Sequence, residues 1–229
     1  MAATEQAIIL LGGLGTRLRS LHPDLPKALA PIAGRPFLQW QLDWLARFGI
    51  TRIHLAAGHR ADQVAAWAEG RNLTVSVEPE PLGTGGGLKF VEPWVDTESF
   101  FVVNGDTLVP RLDFEAMRIE PGEVSLAVSP VENTERYGAV TFDKRHRVDA
   151  LHEKGKTGPG YVNAGMFLTH RSIFDSIEPD TFVSTEQEIF PQLIEQGKLI
   201  ALPTDPPMLD MGTEDGFREM EAFLTADEG

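Results

Sequence analysis

The sequence predicts an α/β domain in three layers, with a mixed, mostly parallel central sheet between helices. Short apolar runs alternate with amphipathic stretches through the first hundred residues, which is typical of β-α-β units. After residue 105, strand patterns follow one another with few helices between them, which indicates a mixed part of the sheet. No linker, low-complexity block or repeat divides the 229 residues, so we expect one continuous domain.

The first half of the chain is predicted to supply the parallel strands. Residues 7–11 form an apolar run stopped by glycine, the pattern of a strand buried on both faces. A helix is predicted over residues 37–48, where apolar side chains recur at helical spacing and Gly49 provides the stop. The same patterns predict strands over residues 52–57, 73–77 and 100–104 and a helix over residues 61–68.

The second half is predicted to be richer in strands, at residues 124–129, 139–142, 148–152 and 161–168. A helix is expected over residues 185–196 with Ser184 as its N-cap, and a closing helix over residues 215–224. We place the domain at residues 1–225 and interpret residues 226–229 as an acidic tail.

The composition excludes several classes of protein. Thirty-four acidic against twenty basic residues give a net charge of −14, so the chain repels nucleic acids and anionic membranes. The lack of cysteine excludes disulfides, thiolate zinc sites, iron–sulfur clusters and a cysteine nucleophile. No signal-peptide pattern and no apolar run of membrane-spanning length is present. We therefore expect a cytoplasmic protein with no nucleic-acid and no membrane partner.

A glycine-rich turn directly after the first predicted strand is the strongest local signal. Residues 12–18 read GGLGTRL, and such glycines let backbone N–H groups approach an anion at the carboxyl end of a strand. The pattern lacks both the Walker lysine and the third glycine of a dinucleotide fingerprint. Arg17 and Lys27 supply the cations that a polyphosphate needs. For the glycines alone, a structural tight turn is the alternative.

Two aspartates are predicted at strand ends. Asp106 follows the strand over residues 100–104, and Asp210 follows a short apolar segment much later in the chain. Mg²⁺ binds one or two carboxylates together with water and phosphate oxygens, so the pair is a candidate Mg²⁺ site. Because the chain has many acids, a solvated turn or a helix cap is the alternative for each aspartate taken alone.

A series of short motifs runs in order along nearly the whole chain, at residues 11–18, 26–27, 34–36, 82–88, 105–106, 137–138, 153–154, 163–165 and 210–213. Together they closely resemble the motifs of the sugar 1-phosphate nucleotidylyltransferases, which join a sugar phosphate to an NTP. The resemblance implies a Rossmann-like, glycosyltransferase-A-like domain that makes an NDP-sugar and pyrophosphate. It also implies that Asp106 and Asp210 are the Mg²⁺ ligands.

The resemblance implies roles for further residues. Arg17 and Lys27 are the expected catalytic cations, with Arg17 neutralising the leaving pyrophosphate. The expected nucleotide contacts are Leu11, Gly12, Gly13, Gly15, Thr16, Glu80, Gly83 and Thr84. The expected sugar phosphate contacts are Gly138, Glu153, Lys154 and Asn163.

Base and sugar are predicted from finer similarity within the family. The glycine turn and residues 21–38 are most similar to bacterial guanylyltransferases that act on heptose 1-phosphates, which implies GTP and D-glycero-α-D-manno-heptose 1-phosphate. Glu80 offers a carboxylate suited to the donor edge of guanine, and an ordinary surface acid is the equally good alternative. Mannose, glucose or N-acetylmuramate 1-phosphate with GTP, UTP or dTTP stay open, as does a homo-oligomeric state. Because the chain ends soon after Asp210, we expect no C-terminal hexapeptide-repeat domain.

Two functions of other classes compete with this prediction. A nicotinamide-dependent oxidoreductase would account for the first strand and the glycine turn, but it leaves Arg17, Lys27 and the aspartate motifs unused. A non-catalytic nucleotide or sugar sensor would keep the pocket but lack the metal pair. NADH titration and pyrophosphate release distinguish the three.

Overall fold

A central sheet of nine strands organises the residues that the computed structural model describes, which are 3–13, 24–155 and 157–227. The strands of the chain are β1 (Gln6–Leu11), β2 (Pro31–Ile32), β3 (Arg35–Pro36), β4 (Arg52–Ala57), β5 (Leu73–Val77), β6 (Ser99–Asn104), β7 (Thr107–Leu108), β8 (Val124–Val131), β9 (Val140–Phe142), β10 (Val148–Leu151), β11 (Gly160–His170), β12 (Leu199–Pro203) and β13 (Leu209–Asp210). The helices are α1 (Phe37–Arg47), α2 (Ala61–Ala68), α3 (Gly83–Phe90), α4 (Phe190–Glu195) and α5 (Glu214–Asp227).

The strand order of the central sheet is β10-β9-β11-β6-β1-β4-β5, and β8 pairs with both β11 and β12. β1 pairs in parallel with β4 and β6, and β4 pairs in parallel with β5. β11 runs antiparallel to β6, β8 and β9, and β10 runs antiparallel to β9. β12 runs parallel to β8. Among the described strands of the central sheet, β10 and β11 therefore run opposite to the others. The predicted mixed, mostly parallel sheet is confirmed.

Two apolar cores lie on opposite faces of the sheet because successive side chains of a strand point to opposite sides. In β1, Ile9 packs into one core with α1, α2 and α5, while Ile8 packs into the other with α3 and α4. Both isoleucines have no solvent exposure. A strand covered on both faces reads as a continuous apolar run, which is why residues 7–11 were recognisable in the sequence.

The helix α3 is the main element that the sequence patterns miss, since residues 82–88 stand out only as a family motif that includes the expected nucleotide contacts Gly83 and Thr84. Its glycines have poor helix propensity, but they allow the helix to touch another segment of backbone. The N–H groups of Gly85 and Gly86 donate to the carbonyl oxygen of Val183, at 2.8 and 3.2 Å. A Cβ on Gly86 would collide with the Thr181 carbonyl oxygen. Tertiary contact therefore overrides local propensity here.

Several predicted boundaries change in detail. The predicted helix over residues 185–196 consists of a π-helical turn, Thr185–Ile189, followed by α4. The Ser184 hydroxyl caps it as predicted, accepting from the Gln187 N–H at 3.2 Å. The closing helix α5 extends through Asp227, into the segment interpreted as a tail. None of the helices in the described residues is long and apolar enough to cross a membrane.

A buried histidine bridges two strands at one edge of the sheet. His54 of β4 is 1% exposed, and its ring nitrogens contact the hydroxyls of Thr74 and Ser76 on β5 at 2.8 and 2.9 Å. Its ring stacks on Trp94 with centroids 4.9 Å apart. Burial lowers the pKa of His54 from 6.5 to about 4, so the imidazole is neutral in the folded protein at neutral pH.

We predict that His54 makes the protein acid-sensitive. The imidazole of His54 binds a proton more tightly in the unfolded chain than in the folded protein. The contribution of the neutral His54 to stability is therefore complete above pH 6.5 and is lost as the pH falls towards 4. Between pH 7 and pH 5 the free energy of unfolding should fall by about 2 kcal/mol more in the native protein than in His54→Gln. Urea titrations at both pH values measure this, and equal falls in the two proteins would refute it.

Candidate active site

A cleft of about 400 Å³ opens at the carboxyl ends of β1, β5 and β6. Its walls come from residues 10–13 after and within β1, from Lys27, from Glu78 after β5 and from residues 104–106 after β6. The exposed ring of Phe182 lies at its side. Ligands of open α/β sheets bind at this edge, so the cleft is the candidate active site.

The turn after β6 places the two predicted metal ligands together. The N–H of Gly105 donates to the Leu10 carbonyl oxygen at 3.0 Å, which ties the turn to β1. The carbonyl oxygen of Asp106 accepts from the Met211 N–H at 3.0 Å, and Asp210 of β13 pairs with Thr107 of β7. Asp106 and Asp210 are therefore neighbours although 103 residues separate them in the chain.

Cations lie beside both aspartates. The ammonium Nζ of Lys27 is 2.5 Å from Oδ2 of Asp106. Nη2 of Arg136 is 4.0 Å from Oδ2 of Asp210, whose other oxygen accepts from the Gly212 N–H at 2.7 Å. Burial, helped by the Asp106 charge, nevertheless raises the pKa of Asp210, while Lys27, Gly212 and Arg136 oppose the rise. Two neighbouring carboxylates in a half-buried site are an arrangement that a divalent cation would stabilise.

The carboxylate that faces the cleft beside β5 is Glu78, not Glu80. Glu78 lines the cleft, whereas Glu80 is exposed and is not among the residues that line it. Burial raises the pKa of Glu78, and its Oε2 accepts from the Leu82 N–H at 3.3 Å. Glu78 could have been identified from the sequence, because it directly follows the predicted strand over residues 73–77. Asp106 likewise follows the predicted strand over residues 100–104.

The predicted nucleotide residues after β1 and in α3 converge on the cleft where they are described. Leu11, Gly12, Gly13, Gly83 and Thr84 all line it. The Thr84 hydroxyl lies 2.8 Å from that of Thr185 and accepts from the Thr185 N–H at 2.9 Å, so it is held by the segment that covers α3. Gly15, Thr16 and Arg17 lie outside the described residues.

The predicted sugar phosphate residues gather on and beside β11 and β10. Nδ2 of Asn163 donates to Oε1 of Glu186 at 2.6 Å, and its Oδ1 accepts from the Gly165 N–H at 2.9 Å. Gly138 has a φ of 79° and abuts the His152 carbonyl oxygen. Glu153 and Lys154 follow on an exposed turn, and they do not line the 400 Å³ cleft.

Arg136 is a site residue that the sequence patterns do not identify. Besides lying near Asp210, its Nη2 donates to the Thr213 hydroxyl at 2.9 Å, and its guanidinium lies 5.2 Å from the centroid of the Tyr137 ring. It thereby connects the turn before Gly138 to the segment after β13. Its neighbours Tyr137 and Gly138 belong to a recognised motif, which was the available signal.

Comparison with known proteins agrees with this geometry. A family model described as nucleotidyl transferase matches residues 6–227. The chain belongs to this nucleotidyl transferase family. It is 34% identical to the D-glycero-α-D-manno-heptose 1-phosphate guanylyltransferase of Aneurinibacillus thermoaerophilus, over 96% of this chain and 98% of that protein.

Two further family relatives are informative. The chain is 33% identical to the enzyme of the same name from Campylobacter jejuni, over 93% of this chain and 96% of that protein. Among solved structures, HddC from Yersinia pseudotuberculosis complexed with GMP-PN superposes with a TM-score of 0.84 at 28% identity, covering 98% of this chain and all of that one. The family fold predicted from the motifs is therefore confirmed.

β1 and the turn after β6 approach so closely that a side chain at residue 105 should destabilise the fold. A Cβ on Gly105 would collide with the Leu11 side chain and lie 2.8 Å from the Leu10 carbonyl oxygen. We expect Gly105→Ala to lower the free energy of unfolding by about 1–3 kcal/mol, the usual cost of overpacking. Urea denaturation measures the loss. Gly13→Ala is the matched control in the same cleft, because its Cβ would meet nothing within 4 Å; equal stability of the two variants would contradict the prediction.

Proposed function

We propose that the protein transfers GMP from GTP to D-glycero-α-D-manno-heptose 1-phosphate and releases pyrophosphate. The observation that carries nucleotidyl transfer is the meeting of Asp106, Asp210 and Lys27 at the strand ends that form the cleft. The heptose and guanine assignments draw support from the full-length guanylyltransferase relatives and from the neighbour solved with GMP-PN. A cytoplasmic location stays a prediction.

The aspartate pair fits Mg²⁺. Both ligands are hard carboxylate oxygens, and the charge of Asp106 disfavours ionisation of Asp210, an effect that a cation between them would offset. Within the described residues no cluster of three or more Asp, Glu or His side chains forms a complete metal cage, so phosphate and water oxygens would complete the coordination. Mg²⁺ bound by Asp106 and Asp210 would supply charge neutralisation and polarisation of the phosphates.

The reaction needs positioning and charge rather than a covalent enzyme intermediate. An oxygen of the sugar 1-phosphate attacks the α-phosphorus of GTP in line, a new P–O bond forms, and the bond to the β-phosphate oxygen breaks. Pyrophosphate leaves with that electron pair. We assign Lys27 to hold the phosphates beside Asp106, and the residue resemblance assigns Arg17 to the leaving pyrophosphate.

We assign recognition of the guanine base to Glu78. Guanine presents adjacent N1–H and N2–H donors on one edge, and a carboxylate accepts two such hydrogen bonds. Glu78 is half-buried in the cleft wall, beside Gly12 and Gly87. An ionised acceptor in a half-buried position gains more from a pair of donors than an exposed one does. Glu80, in contrast, is exposed to solvent.

On the acceptor side, we assign Asn163 and Glu186 to the sugar hydroxyls and Lys154 to the sugar phosphate. The 2.6 Å hydrogen bond between Asn163 and Glu186 presents an amide and a carboxylate side by side. Such groups form hydrogen bonds to vicinal hydroxyls readily. Lys154 is exposed on the turn after β10, where a bound phosphate can reach its ammonium.

The proposed function predicts the outcome of a substrate panel. Pyrophosphate release should be fastest with GTP and the heptose 1-phosphate, and it should require Mg²⁺. Asp210→Asn, which keeps the Gly212 contact geometry, should lower kcat/KM by at least about 100-fold without unfolding the protein.

Other outcomes of the panel decide against parts of the proposal. Faster release with mannose, glucose or N-acetylmuramate 1-phosphate would refute the sugar, and faster release with UTP or dTTP would refute the base. No release with any pair would favour a sensor. A rise of NADH fluorescence on titration would favour an oxidoreductase.

Glu78 should control base selectivity. Glu78→Gln keeps an acceptor for the Leu82 N–H but presents a donor to one of the guanine donors, so KM for GTP should rise about 10- to 100-fold, as for loss of one bidentate base contact. The preference for GTP over UTP should shrink accordingly. Glu80→Gln is the matched control and should change neither quantity. An equal loss with every NTP would contradict the assignment.

A further inference from the structure

One fully buried polar side chain outside the cleft touches the turn that carries Asp106. Gln41 of α1 has no solvent exposure. Its Nε2 donates to the carbonyl oxygens of Asn104 and Thr107, both at 2.8 Å. These two carbonyls flank Gly105 and Asp106, so the amide spans the turn from one end to the other.

The orientation of this amide is fixed by its partners. Both hydrogens of Nε2 point at carbonyl oxygens, and rotating the amide by half a turn would place Oε1 against those same oxygens. Oε1 has no hydrogen-bond partner within the described part of the chain. Leaving a buried acceptor unpaired lowers the stability of the fold. An apolar side chain of similar volume would avoid that cost, so the gain from Gln41 lies in what its two donors hold.

The helix that carries Gln41 is held in place by its packing in the apolar core. Its neighbours Phe37, Leu38, Trp44 and Leu45 on α1 are all buried in the apolar core. The turn is also tied to β1 through Gly105 and to β13 through the Asp106 carbonyl oxygen. The hydrogen bonds from Gln41 are a third attachment of this turn. Together the three attachments fix the backbone from which the Asp106 side chain extends towards Lys27.

We propose that Gln41 is a positioning residue, which holds the Asp106 carboxylate where it can share a divalent cation with Asp210. This inference rests on the proposed function. Gln41 contacts no substrate, and it acts through the backbone of residues 104–107. Displacement of a catalytic group by about 1 Å can lower the rate about 100-fold. Loss of the two hydrogen bonds from Gln41 should therefore have a measurable effect on catalysis.

Two substitutions separate the donors of Gln41 from its volume. Gln41→Met fills similar space without donors, and Gln41→Glu keeps the shape but replaces the donating nitrogen with an oxygen. Gln39→Met is the matched control, because Gln39 lies on the same helix and donates to Asp43 instead of to the turn. We expect Gln41→Met to raise the Mg²⁺ concentration for half-maximal rate at least about 10-fold and to lower kcat about 10- to 100-fold.

KM for the sugar phosphate should stay within about twofold. Gln41→Glu should be at least as impaired as Gln41→Met, and Gln39→Met should behave as the native protein. A lower melting temperature of Gln41→Met with an unchanged Mg²⁺ requirement would mean a structural role only and would overturn the proposal.

A second measurement does not depend on turnover. The melting temperature of the native protein saturated with GTP should rise when Mg²⁺ is added, and this rise should be smaller in Gln41→Met at the same Mg²⁺ concentration. Equal rises in both proteins would also overturn the proposal. If the native protein released no pyrophosphate, the proposed function would fail, and the melting measurement would still decide whether Gln41 supports the metal site.

Discussion

The contact between Gly105 and the end of β1 is the constraint on which the candidate active site depends. The Gly105 N–H donates to the Leu10 carbonyl oxygen, and the Leu11 side chain occupies the space that a Cβ on residue 105 would need. The chain can therefore leave β6 only by a tight turn against β1. That turn presents Asp106 at the carboxyl end of the parallel ladder, beside the backbone that follows β1. Lys27, Gln41 and β13 all attach to this one segment.

Local pairing of charges makes a net charge of −14 compatible with the two phosphorylated substrates proposed for the chain. The acidic surplus repels polyanions at long range, but screening limits that repulsion to roughly 8–10 Å at physiological ionic strength. Within the site, Lys27 neutralises Asp106 and Arg136 lies beside Asp210. The net charge of the site therefore differs from the net charge of the whole chain. A divalent cation on the two carboxylates would turn the region positive, which is what a triphosphate requires.

Sequence patterns predicted the elements whose signal is local. Strands β1 and β6 are apolar runs because both their faces are covered, and the two aspartates stood out because each follows an apolar segment. The patterns missed α3, whose glycines oppose helix formation until backbone carbonyls of residues 181 and 183 pack on them. They missed Gln41, since a glutamine in an amphipathic helix resembles a solvent-facing residue. Only the tertiary fold brings its amide to residues 104–107.

The reversed strand β11 gives the site its second half. Because β11 opposes β6, it begins at the cleft edge of the sheet and brings Asn163 there, and its register shifts between Asn163 and Phe167. At that irregularity Gly165 adopts a φ of 72°, where a Cβ would lie 3.0 Å from the Thr107 hydroxyl. The parallel half thus supplies Gly12, Gly13 and Glu78, and the antiparallel half supplies the proposed acceptor residue Asn163. Asp106 and Asp210 lie where the two halves meet. In-line transfer needs donor and acceptor to approach one phosphorus from opposite sides, and a sheet that changes direction at β6 provides two such sides with the proposed metal ligands between them.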